Sequence, residues 1–147
     1  MSACLLGLPT RYDGSAKGSS HVRSYLDRHN LLPIPVCPEQ LAGMSTPRPK
    51  TCFQTGDGQA VLAGTGRVIA SSGDDMNAIF RRGAQMVHRI AILCGCRRAL
   101  LKERSPSCGV HQVYCGDRKV PGVGVTTALL LQQGLDVCSE EDLSTKP

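Results

Sequence analysis

Eight cysteines run through this chain: Cys4, Cys37, Cys52, Cys94, Cys96, Cys108, Cys115 and Cys138. Thiolates bind soft metals and attack electrophiles, and thiols can pair as disulfides, so spacing decides which chemistry is open. The chain has no pair of Cys-x-x-Cys spacings and no His-x-x-x-His, so it carries no zinc signature. The Cys94-Gly95-Cys96 spacing suggests metal or redox chemistry, but Cys94 also continues the apolar stripe of a helix and reads as core. Eight cysteines in 147 residues exceed ordinary usage yet fall short of a disulfide scaffold. A chain of this length buries a core without staples, so the expected compartment is the reducing cytoplasm. Any metal site must then come from cysteines that converge in space.

The elements decide which cysteines can converge. Residues 2–6 and 32–37 read as short buried strands, with a helix over 20–30 that Ser19 or Ser20 can cap. Residues 38–73 are irregular and rich in Gly and Pro. Inside them, 52–55 and 59–62 flank Gly56-Asp57-Gly58 and read as a small hairpin. The strongest helix spans 75–93, with Asp74 as its cap and Gly95 at its end. Residues 98–102 read as a strand, 103–122 as a second Gly-rich excursion, 123–133 as a helix and 135–138 as a last strand. From Ser139 the tail is acidic and expected to fray. Alternating strands and helices predict an α/β fold: a small, mostly parallel sheet with helices on both faces, a Rossmann-like three-layer arrangement with a short β-hairpin excursion. No linker or repeat interrupts it, so residues 1–147 read as a single domain.

Open parallel sheets bind ligands at the carboxyl ends of their strands. That rule places Cys4, Cys37, Cys108 and Cys138 at the binding edge, and Cys94 and Cys96 at the opposite edge. Cys52 and Cys115 fall in the excursions without a spacing partner. Cys37 lies between prolines with Glu39 two residues on, and Cys108 stands in Ser105-Pro106-Ser107-Cys108-Gly109. Cys138 looks like an ordinary strand end. On these grounds alone, a cluster held by Cys4, Cys37 and Cys108 and a set of buried structural thiols remain equal readings.

The net charge of +5 is modest and scattered, and only three Tyr and two Phe are present. Nucleic-acid surfaces interleave basic with stacking residues, so no stable nucleic-acid partner is expected. No apolar run is long enough for a membrane span, and Met1 to Gly7 lacks the pattern of a secretory signal. The expected state is a monomer or small homo-oligomer.

Six blocks in order resemble the thiouracil desulfidase family over nearly the whole chain. They are Ser2-Ala3-Cys4-Leu5-Leu6-Gly7, Arg11-Tyr12-Asp13-Gly14, Pro35-Val36-Cys37-Pro38-Glu39, Pro47-Arg48-Pro49, Lys102 with Ser105 to Gly109, and Gly122-Val123-Gly124-Val125-Thr126. The resemblance implies a [4Fe–4S] cluster held by three ligands, Cys4, Cys37 and Cys108, with one iron left open. It implies removal of sulfur from thiouracil, a small thiolated pyrimidine, giving uracil and sulfide without net redox change. The chain departs from the family pattern at 67–74, which look longer, and at Cys115, where Asp is expected.

Around that chemistry, Glu39 is the expected general acid/base and Ser105 the group that orients water or ring, with Ser107 as its rival. Arg48 and Lys102 would neutralise a pyrimidine anion or the cluster's charge. Asp13 is expected to brace the Cys4 loop, and His111 to lie at the surface. Three rivals remain: a non-catalytic iron–sulfur or zinc module, a desulfidase of thiolated nucleosides or RNA, and a sulfur transferase using Cys52, Cys96 or Cys115.

Overall fold

The computed structural model describes residues 1–145. Five helices are present among them: α1 (Ser20–Arg28), α2 (Pro38–Leu41), α3 (Gly58–Ala63), α4 (Asn77–Leu93) and α5 (Val125–Gln132). Six strands accompany them: β1 (Thr51–Thr55), β2 (Arg67–Ala70), β3 (Arg98–Leu101), β4 (Gln112–Cys115), β5 (Arg118–Pro121) and β6 (Asp136–Ser139). The fold is mixed α/β. Its larger sheet has the order β2-β1-β4-β5, with β1 and β4 parallel and both outer pairs antiparallel. A second ladder pairs β3 with β6 in parallel.

The expected single, mostly parallel sheet is therefore corrected. Only the smaller ladder is wholly parallel, and backbone bonds extend it. Ser2 N donates to Leu100 O at 3.0 Å, and Ala3 N to Val36 O at 2.8 Å. Ser2 and Val36 form only a parallel bridge, where strands over 2–6 and 32–37 were expected. The reasons are local. Ala3–Leu6 coils into a 3-10 turn closed by left-handed Gly7, whose N–H and that of Lys17 both bind Cys4 O. Pro33 and Pro35 have no N–H to give a ladder.

The expected hairpin is half right. Residues 51–55 form β1, but Asp57 takes the N–H groups of Gln59 and Ala60 and starts α3 instead. The antiparallel partner of β1 is β2, Arg67–Ala70, which lies inside the segment 67–74 that reads as longer than the family pattern. The excursion 103–122 likewise contains the hairpin β4–β5 across Gly116 and Asp117. Ser19 caps α1 as expected, accepting from Val22 N. Asp74 does not cap α4; its carboxylate accepts from Ser72 Oγ, while Asp75 accepts from Asn77 N.

Helix α4 buries Phe80, Gly83, Ala84, Val87 and Ala91. Cys94 is exposed, which corrects its reading as core: the helix ends at Leu93, and Ile92 and Leu93 have already rotated to solvent. The apolar interior divides in three. One part surrounds Phe53, Val68 and Phe80; one holds Cys108 with Val36, Val87 and Leu130; one holds Cys4 with Leu5, Val22, Leu100 and Leu143. Leu143 belongs to the tail, so the tail is docked through that residue and not frayed there. Residues 146–147 lie outside the described residues.

Candidate cluster site

The binding edge opens into a cavity of about 380 Å³ whose walls include Cys4, Cys37 and Cys108. Cys138 is not among its lining residues, and neither is any of the other four cysteines. Three unrelated pieces of chain deliver the three thiols. Cys4 sits in the 3-10 turn that Gly7 closes. Cys37 precedes α2, where Pro38 at the first helical position fixes the entry of the chain. Its thiol donates to Thr10 O at 3.7 Å, and Arg48 Nη2 donates to its sulfur at 3.8 Å.

Cys108 depends on a knotted turn. Ser105 Oγ accepts from the N–H groups of Ser107 and Cys108, both at 3.2 Å. Thr127 Oγ1 donates to Cys108 O at 2.9 Å, and Ser107 O accepts from Thr126 N. Glycine makes the close approach possible: a Cβ on Gly124 would stand 2.3 Å from the Ser107 carbonyl carbon. Gly83 does the same for the Cys37 loop, where a Cβ would lie 2.4 Å from Pro38 O.

All eight cysteines are free thiols. Burial pushes the Cys108 thiol well up, and the charges of Cys4 and Cys37 push the same way against a hydrogen bond with Ser2. Burial also raises Cys4, Lys102 opposes it, and Cys37 adds to the rise. All three thiols line the one cavity. Yet among the described residues no three Cys, His, Asp or Glu close around a single metal ion. A tetrahedral ion with metal–sulfur bonds of about 2.3 Å would gather its sulfurs into contact. A cluster spreads its ligands over several metal atoms and takes thiolates, which is the donor set present here.

Glu39 faces the same cavity. Its Oε2 lies 3.3 Å from Arg48 Nη2, and the two side chains are 13% and 2% exposed. Burial raises the Glu39 carboxyl above its ordinary range, against the pull of Arg48 and a hydrogen bond with Thr51. Arg48 also donates to Thr10 O, Ser45 O and Thr46 Oγ1, so it ties the Cys37 region to the loop before β1. Ser105 and Lys102 line the cavity; Lys102 Nζ pairs with Glu140 and donates to Glu103 O.

Ser107 does not reach the cavity. It is 1% exposed and packed under the start of α5. Asp13 binds Ser15 and closes its own turn; Tyr12, beside it, accepts Arg48 N through its carbonyl. His111 is at the surface, against Asp142. Tyr12, expected in a supporting turn near Cys4, and Lys50, expected with Arg48 as a ligand contact, both line the cavity, whereas Ser2, Lys17, Thr51, Glu103 and Tyr114 escaped sequence reasoning. The aromatic count was a usable signal, because Phe53 and Phe80 fill the core and two of the three tyrosines remain for the cavity.

Fold and site together define a mixed α/β protein that presents three converging thiols to an open, carboxylate-bearing cavity. The chain belongs to the 2-thiouracil desulfurase family, whose model matches residues 1–142. It is 38% identical to the uncharacterized protein YbbK of Bacillus subtilis (strain 168), across 98% of this chain and 96% of that one. The solved structure of the [4Fe-4S]-dependent thiouracil desulfidase TudS is 40% identical, with a TM-score of 0.82 over 97% of this chain and 90% of that one.

Proposed function

We propose that this chain is a [4Fe–4S]-dependent thiouracil desulfidase that converts 2- or 4-thiouracil and water to uracil and hydrogen sulfide, with Cys4, Cys37 and Cys108 as ligands. The observation that carries this reading is the meeting of those three free thiols at one cavity with the Glu39–Arg48 pair, in a relative of TudS. A cluster held by three cysteines supplies an open iron, a Lewis acid for the soft thiocarbonyl sulfur.

The chain's own residues do the rest. Glu39, its carboxyl raised by burial, takes a proton from the attacking water and returns it to the departing sulfur or a ring nitrogen. Arg48 holds that carboxylate in place. Ser105 Oγ already accepts two N–H bonds, so its remaining O–H donates to water or ring. Lys102 and Arg48 offset the negative charge of thiolates and substrate. Ser107 acts only by supporting the Cys108 turn.

We take the chain as one domain working in the cytoplasm, as a monomer or small homo-oligomer, with a small molecule as its partner. Among the described residues no helix is long and apolar enough to cross a membrane. The ladder of Val36, Ser2, β3 and β6 is its Rossmann-like half. A second reading, a thiolated nucleoside as substrate, is favoured by Arg11, Lys17, Lys50, Tyr12 and Tyr114 around the same cavity. Anaerobic protein given each thiolated base or nucleoside in competition, with sulfide release as readout, separates the two. Absence of sulfide from every one of them contradicts both.

A further inference from the structure

Glu103 is a carboxylate in an unusual setting. It is 3% exposed, lies two residues beyond the end of β3 and immediately before Arg104, whose backbone is left-handed at φ 66°. Its Oε1 accepts four backbone N–H groups: Arg104 at 3.1 Å, and Val110, His111 and Gln112 each at 3.0 Å. The first donor opens the turn that carries Cys108, and the other three close it. One oxygen therefore pins both ends of the loop that presents the third thiol. Burial pushes this carboxyl up, the four donors pull it down, and the net displacement is below its ordinary value.

The pin is itself anchored. Glu140, at the end of β6, accepts Glu103 N at 2.8 Å through Oε2 and pairs with Lys102 through Oε1. Leu143, three residues on, packs in the same apolar group as Cys4. The C-terminal turn thus joins the Cys4 and Cys108 loops, with Glu103 at the junction. The other oxygen, Oε2, is buried with no hydrogen-bond partner among the described residues. Leaving a buried carboxylate oxygen unsatisfied is costly, a cost that the four bonds to Oε1 offset while they hold the loop.

We propose that Glu103 is a positioning residue for the iron–sulfur cluster: its carboxylate holds the Cys108 loop in ligating geometry before the cluster arrives. The proposal rests on the cluster reading above. It predicts that the loop is already ordered in cluster-free protein. In the Glu103→Gln variant an amide oxygen replaces the charged acceptor, so each of the four bonds weakens while side-chain volume stays the same.

Two measurements test it. The first is amide hydrogen exchange on cluster-free wild-type protein. The amides of Arg104, Val110, His111 and Gln112 should exchange as slowly as those of β1, and in Glu103→Gln they should exchange at least about tenfold faster while β1 and α4 hold. The second is the rate at which an iron chelator strips the reconstituted protein, which should rise about tenfold in Glu103→Gln, with Glu103→Asp in between. Val68→Ala, which destabilises the core around Phe53, should leave the stripping rate unchanged. Fast exchange of the four amides in cluster-free wild type overturns the proposal. So does stripping of Glu103→Gln at the wild-type rate, or equal acceleration by Val68→Ala. If wild type takes up no iron, the cluster reading fails on its own, and the exchange result still decides the role of Glu103.

Discussion

Arg48 and Glu39 form a buried ion pair at the cavity wall, Nη2 to Oε2 at 3.3 Å, and the same nitrogen reaches Cys37 Sγ at 3.8 Å. One guanidinium thus orients both a proposed ligand and the proposed base. Arg48→Met should leave Glu39 buried without its cation, costing about 3–5 kcal/mol in urea unfolding. Its turnover should fall about a hundredfold or more, as should that of Glu39→Gln. Glu39→Gln should keep the cluster spectrum, and it too should lose stability, because Arg48 is then buried without its counter-charge. Arg48→Lys should not rescue, because a single ammonium cannot reach Thr10 O, Ser45 O, Thr46 Oγ1 and Glu39 together.

Removing one proposed ligand should remove the cluster. Cys4→Ala, Cys37→Ala and Cys108→Ala should each drop iron from about four per chain to below about one. Cys94→Ala and Cys138→Ala, outside the cavity, should retain it. Iron and sulfide assays on anaerobic protein check this. A Cys138→Ala variant without iron would restore the fourth cysteine that the cavity excludes.

Gly83 and Gly124 should be intolerant for a reason other than backbone freedom. Neither has a positive φ, and helix propensity favours Ala over Gly at Gly83 by about 1 kcal/mol. The added Cβ would nonetheless strike Pro38 O or the Ser107 carbonyl carbon, and backbone cannot yield as a flexible side chain does. Gly83→Ala and Gly124→Ala should each lose about 1–3 kcal/mol by urea titration. Both should also lose iron, since the struck atoms adjoin Cys37 and Cys108.

Acid should release the Glu103 pin. Its folded carboxyl lies below the ordinary glutamate value of about 4.3, so its stabilisation is complete above that pH. It is lost as pH falls through the lower folded value. Urea midpoints of wild type and Glu103→Gln should therefore differ most near neutral pH and converge as the pH falls through the lowered folded value. A gap that widens on acidification would contradict the assignment.

That Cys4, Cys37 and Cys108 meet was legible because strand order puts them at one edge whatever the local backbone does, but it put Cys138 there too, and only the family resemblance singled out the three. Ser2 and Val36 still pair in parallel, although the strands around them shrank to single bridges. The mixed sheet was not legible. Strand β2 is four residues beside a Gly-rich turn, and β5, Arg-Lys-Val-Pro, has no apolar alternation to declare it. Helix α3 hid behind a Gly-Asp-Gly sequence that reads as a hairpin turn, because Asp57 can serve a turn or a cap equally well. Glu103 was invisible for a different reason: its four partners lie up to nine residues away, and only the folded loop gathers them on one oxygen.

The most direct test is an iron, sulfide and uracil count on protein kept without oxygen. Such protein should hold about four iron and four sulfide per chain, turn 2- or 4-thiouracil into uracil with one hydrogen sulfide released per ring, and do so without any added reductant. A protein that binds zinc alone, or a full cluster that leaves both thiouracils untouched, would contradict the account.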